Sequence, residues 1–95
     1  MPRVQIKDDP LGGIFVDRDP VHVGSGNSVD WDYTGSVDFV VCFASGSPFA
    51  GNVFRSAGRH VNSGAASVAG NPHKVYKYLV ITDAGGVIDP GVIVH

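Results

Sequence analysis

Ninety-five residues make one domain, 1–95, and sixteen Val and five Ile against two Leu, with nine Asp and no Glu, exclude a helical protein and predict an all-β one. A formal net charge of −2, with seven basic residues dispersed from Arg3 to Lys77, excludes the dense basic stripe that follows a phosphate backbone, so no nucleic-acid partner is expected. No apolar run reaches the ~18 residues of a membrane-spanning helix, and the start MPRVQIKDDP holds no apolar signal core, so neither membrane insertion nor an export signal is expected and the compartment stays open.

The first predicted strand is RVQIK, stopped by Asp8, Asp9 and Pro10. GIFV (Gly13 to Val16) is the second, ended by DRDP. A third runs through Val21 and Val23, and a turn at Gly24 to Asn27 leads into a strand where Val29, Trp31 and Tyr33 alternate with Asp30 and Asp32. Period-2 alternation places the aromatics on the core face and both Asp toward solvent. After a turn at Thr34 to Ser36, Val37, Phe39, Val41 and Phe43 share one side of the next strand. Its other side changes from Asp38 to Val40 and Cys42, which predicts a central strand that becomes buried on both faces. Residues 44–71 are rich in Gly, Ser and Ala, with apolar anchors at Phe49, Val53, Phe54, Val61 and Val68. A structureless loop of that length is out of keeping with a small domain, so a crossover with one helical turn near Asn52 to Ala57 and one or two weak strands is expected. Regular alternation returns at Val75 to Thr82, where Tyr76, Tyr78 and Val80 face one way, and the chain closes with VIVH.

Few side chains suggest chemistry. Cys42 is the only cysteine, so no intrachain disulfide forms, and in FVVCF it reads as a small packed hydrophobe. The four His show no H-x-x-x-H spacing and none lies beside Cys, and His22, between Val21 and Val23, should point to solvent. Asp17-x-Asp19 and Asp30-x-Asp32 lack the further ligands of a calcium loop. SGS in FASGSPF is not a nucleophile elbow, and GSG in VGSGNSV precedes a strand where a nucleotide loop needs a helix. No catalytic constellation is present, and an enzyme is not expected. In RSAGRH, Arg55, Arg59 and His60 lie within six residues, suited to an anionic partner or, more simply, to a solvated face.

Two separated stretches resemble one family. VHVGSGNSVDW is similar to the cupredoxin pattern of apolar strand, Gly-containing turn and strand ending in an aromatic, and YKYLVITDAGGVIDPGVIV is similar to that family's closing strand, loop and strand. The resemblance implies a cupredoxin-like Greek-key β-sandwich of about seven strands, with at most a short helical turn in the 44–71 crossover. It also implies electron transfer at a type 1 copper held by two His, one Cys and a weakly bound Met. Residue by residue, the ligands do not carry over. Val80 or Ile81 falls about where the Cys should stand, Asp83 about where the His should, and Ile88 near the Met. No His lies between His22 and His60, although the upstream ligand is expected on the strand after Trp31, and the only Met is Met1. No copper and no other cofactor is therefore expected. The loop DAGGVIDPG is left as a set of turn formers that closes the sandwich or meets a partner. The expected role is a binding module that contacts another protein through end loops or an open sheet edge, with Asp83, Asp89, Arg55, Arg59 and His60 as candidate contacts. The rivals are a metal-binding protein with a displaced site, built from some of the His, Cys42 or the Asp pairs, and an enzyme whose site is assembled only in the fold or in an oligomer.

Overall fold

The computed structural model describes residues 2–95, and every regular element in it is a strand. One layer is a four-stranded sheet in the order β2 (Ile14–Val16), β1 (Arg3–Asp8), β4 (Asp30–Tyr33), β7 (His60–Asn62), with β1 and β4 parallel. The other layer holds β10 (Val87–Ile88), β9 (Leu79–Thr82), β5 (Phe39–Cys42) and β6 (Val53–Arg55), together with β3 (Val21–Val23), β11 (Gly91–Val94) and β8 (Tyr76–Lys77). These last two groups are one layer because they share a hairpin. Val87 faces Ile81, Ile88 faces Val80, Gly91 faces Lys77 and Val92 faces Tyr76, a single register from end to end. Pro90, which has no N–H, interrupts the ladder, yet its carbonyl still accepts the Tyr78 N–H at 3.0 Å. Eleven short segments therefore stand where about seven strands were expected, partly because two long runs are each cut in two.

Alternation decides what is buried. Val4, Ile6, Trp31 and Tyr33 from the first layer meet Phe39, Val41, Tyr78, Val80, Val92 and Val94 from the second. Trp31 is the hub: its ring lies 5.6 to 6.4 Å, centroid to centroid, from Tyr78, Phe54, Phe49 and Phe43, and its indole N–H donates to the Tyr78 hydroxyl at 3.2 Å. Aromatic pairs at this spacing add to the burial of area. Burial pushes the Tyr78 phenol well above its ordinary pKa.

The central strand β5 lies between β9 and β6 as expected, but Val40 and Cys42 on its outer side are half-buried, because no further layer covers that face. The helical turn expected at Asn52 to Ala57 is replaced by β6. Val53, Phe54 and Arg55 pair with Cys42, Val41 and Val40, and this pairing supplies backbone partners that an isolated helical turn would lack. A two-residue turn follows, with Gly58 at φ 60° and Arg59 at φ 64°, closed by hydrogen bonds of 3.0 and 3.4 Å between Ala57 and His60. Two successive left-handed residues match the right-handed twist of the flanking strands. This hairpin crosses from one layer to the other, since β6 pairs with β5 and β7 with β4.

Candidate functional site

The loop end of the sandwich is organised around Asp38, a residue at the start of β5. Its Oδ1 accepts the Ser56 hydroxyl at 2.8 Å and the Arg59 N–H at 2.8 Å, while its carbonyl accepts the Asp83 N–H at 2.9 Å. Ser56, buried, passes the connection on by accepting the Phe39 N–H at 2.9 Å. The Arg59 N–H, then the Ser56 hydroxyl and the charges of Arg59 and Arg55, hold the Asp38 carboxyl below its usual pKa. A lowered folded-state pKa contributes stability above the unfolded value near ~3.9, and that contribution is lost as pH falls through the folded value. Asp38→Asn should therefore unfold at lower urea concentration than the parent at neutral pH, with the gap closing in acid; a gap independent of pH would contradict this.

Around Asp83 the chain reverses between Thr82 and Gly86. Gly85 stands at φ 95°, and the Thr82 hydroxyl, buried beneath the turn, accepts the Gly86 N–H at 2.9 Å. Beside the turn the Tyr33 hydroxyl donates to Asp8 Oδ1, and that bond, then burial, raises the phenol's pKa. Tyr33 is thus held as a hydrogen-bond donor. A cleft of about 250 Å³ opens there, lined by residues that include Asp8, Ile14, Tyr33, Thr82 and Ala84.

The candidate contact residues separate into groups. Arg55, Arg59 and Asp83 gather around Asp38, with the Arg59 guanidinium also donating to the Gly35 carbonyl at 3.0 Å. Asp89 lies further along the hairpin, where its carbonyl accepts the Lys77 ammonium at 2.5 Å and its carboxylate stands 3.8 Å from it. His60 belongs to the other layer. Its Nδ1 lies 2.6 Å from Asp32 Oδ1 and its Nε2 3.5 Å from Asp30 Oδ1, so the ring bridges the two solvent-facing Asp of β4. Arg3 Nε approaches the other Asp32 oxygen to 3.1 Å without aiming its N–H along the line, and that oxygen has no hydrogen-bond partner among the described residues. The hub role of Asp38 carries no sequence signal beyond an Asp at a turn. The facing of His22 and His95, with Nδ1 of one 2.7 Å from Nε2 of the other, joins positions 73 residues apart that no spacing pattern connects.

At the positions the resemblance assigns to copper ligands, Val80 is fully buried and packs in the core, Ile88 is half-buried against it, Ile81 points outward and Asp83 opens the turn. Cys42 lies on the outer side of β5, between Leu79 and Val53. Among the described residues, no three His, Cys, Asp or Glu side chains are placed to share an ion, and no helix is long and apolar enough to cross a membrane.

The outer face of the second layer is apolar. One cross-strand row reads Val87, Ile81, Val40, Arg55, and the next reads Leu79, Cys42, Val53. Val53 is 62% exposed, Val87 54% and Ile81 37%. A sheet face turned to water ordinarily carries polar side chains, and this one carries a single charge in its two rows.

No protein-family model matches the sequence, and no curated protein matches it. Solved structures do match by shape. Native pseudoazurin from Hyphomicrobium denitrificans superposes over 98% of this chain and 73% of its own length, with a TM-score of 0.59 at 17% identity. A proline-to-glycine mutant of amicyanin, in its reduced Cu(I) form at pH 4, covers 98% of this chain and 82% of its own, with a TM-score of 0.58 at 13% identity. With its two facing layers and all-β composition, this chain has a cupredoxin-like fold.

Proposed function

We infer that this domain is a cupredoxin-like binding module without a type 1 copper centre. It acts by surface complementarity and not by catalysis, meeting another protein through the loop end of the sandwich and the adjoining face and edge of β10. The apolar outer face carries this reading: Val87, Ile81 and Val53 are water-exposed on adjoining rows, and contiguous apolar surface of this kind marks interaction sites. β10 is also the last strand of its sheet, and a sheet edge suits strand-to-strand contact. Donor chemistry supports the other half. Type 1 copper needs thiolate and imidazole converging on one point, whereas Val80 fills core volume and the only thiol, Cys42, has Leu79 and Val53 as its cross-strand neighbours. These residues do not fit that metal.

The interaction is tested with a photo-crosslinking side chain placed at Val87 and, as a control, at Ala65, which is exposed in the segment after β7. In extracts of the source cells, Val87 should yield one defined adduct that is lost in the Ile81→Asp background, and Ala65 should not yield it. The same adducts from both positions, or none from Val87, would contradict the reading.

A further inference from the structure

His22 and His95 come together at the end of the sandwich away from the 82–86 turn. From that turn β10 and β11 run on in a single register, at ~3.3 Å per residue, toward His95. The backbone under both rings is held by the parallel β3–β11 ladder, with Ile93 opposite His22 and Val94 opposite Val23. Two further bonds fix His95: its N–H donates to the Val23 carbonyl at 2.8 Å, and its carbonyl accepts the Ser25 N–H at 2.8 Å. The rings are exposed, with centroids 4.9 Å apart and planes tilted by 32°, and His22 Nδ1 lies 2.7 Å from His95 Nε2. At that distance one nitrogen donates and the other accepts, so the accepting nitrogen is unprotonated and its lone pair is directed at its neighbour.

We propose that His22 and His95 form a two-imidazole site for a tetragonal divalent cation, Cu(II) or Ni(II). Metal–nitrogen bonds of about 2.0 Å at a right angle place the two nitrogens about 2.8 Å apart, and a tetrahedral angle places them about 3.3 Å apart. The 2.7 Å found here is close to the separation of two adjacent corners of a square-planar ion, so the exposed rings need only turn both lone pairs toward one point to hold it. Tetrahedral Zn(II) would need the two nitrogens roughly 0.6 Å further apart. When the ion enters, the ring that donated moves its proton to its other nitrogen, so a neutral pair loads without net proton release. Water completes the coordination, since both rings face solvent.

The test is calorimetric titration of the whole chain with Ni(II), Cu(II) and Zn(II) salts. One equivalent of Ni(II) and of Cu(II) should saturate the site, both more tightly than Zn(II). His22→Gln and His95→Gln should each weaken Ni(II) by at least about tenfold, the loss that even indirect partners of a metal ligand cause. His60→Gln and His73→Gln should leave the affinity unchanged. Circular dichroism of each variant shows that the sandwich persists. Affinity indifferent to His22 and His95, affinity lost equally in His73→Gln, or Zn(II) binding more tightly than Ni(II) would each overturn the site.

Discussion

Trp31→Ala is expected to remove a large part of the domain's stability. The side chain is fully buried and touches rings contributed by β6, the bridge at Phe49, the end of β5 and the 76–82 run, so its removal opens a void between the two layers. Truncation of a buried aromatic to Ala costs about 3–5 kcal/mol, while a domain of this length holds about 5–15 kcal/mol in total. The Tyr78 hydroxyl also loses the indole donor. Trp31→Phe retains much of the ring contact and forgoes that bond, so it should lose far less. Urea unfolding followed by circular dichroism separates the two. An Ala variant with a midpoint close to the parent's would show that the aromatic cluster is not what joins the layers.

The second large effect is a contrast between neighbours. Val80→Asp should destabilise by about 3–5 kcal/mol, because it buries a carboxylate with no counter-charge among Phe39, Val41 and Tyr78. Ile81→Asp, one residue on, should cost within about 1 kcal/mol, since its side chain faces water and the change there is one of strand preference. Paired urea midpoints for the two variants make the measurement. Equal losses would mean that the face of β9 has been assigned wrongly, and with it the apolar surface through which the domain is proposed to bind. If the contrast holds, Ile81→Asp removes binding while leaving a folded protein.

Much of this fold was legible because strand periodicity is local. Trp31 and Tyr33 alternate with Asp30 and Asp32, and the structure buries the first pair and leaves the second part-exposed, as a period of two requires. The closing reversal was legible in Ala84-Gly85-Gly86, whereas Asp89-Pro90-Gly91, also expected to turn, continues the strand run because the register of 87–88 carries on through 91–92. The segment at Val53 to Arg55 was not, because only pairing with β5 makes it a strand, and its turn uses Gly58 and Arg59 in left-handed conformations without the usual Asn-Gly signature. Site geometry was the least legible part. Asp38 becomes a hub only when the 56–59 turn folds over it, and His22 reaches His95 only through the parallel pairing of β3 with β11. The apolar outer face needed the register of four strands, since Val87, Ile81, Val40 and Val53 belong to four separate stretches of sequence.

The inferred binding role of this cupredoxin-like sandwich, without type 1 copper, is tested by anaerobic addition of Cu(II) to a His22→Gln, His95→Gln double variant, followed by visible absorption and thiol titration of Cys42. The expected result is no intense thiolate-to-copper charge-transfer band and one reactive or reagent-accessible thiol on unfolding. A strong visible band that disappears when Cys42→Ser is added would show that copper is held by the thiolate after all, and the domain would then be a copper protein with a rearranged site.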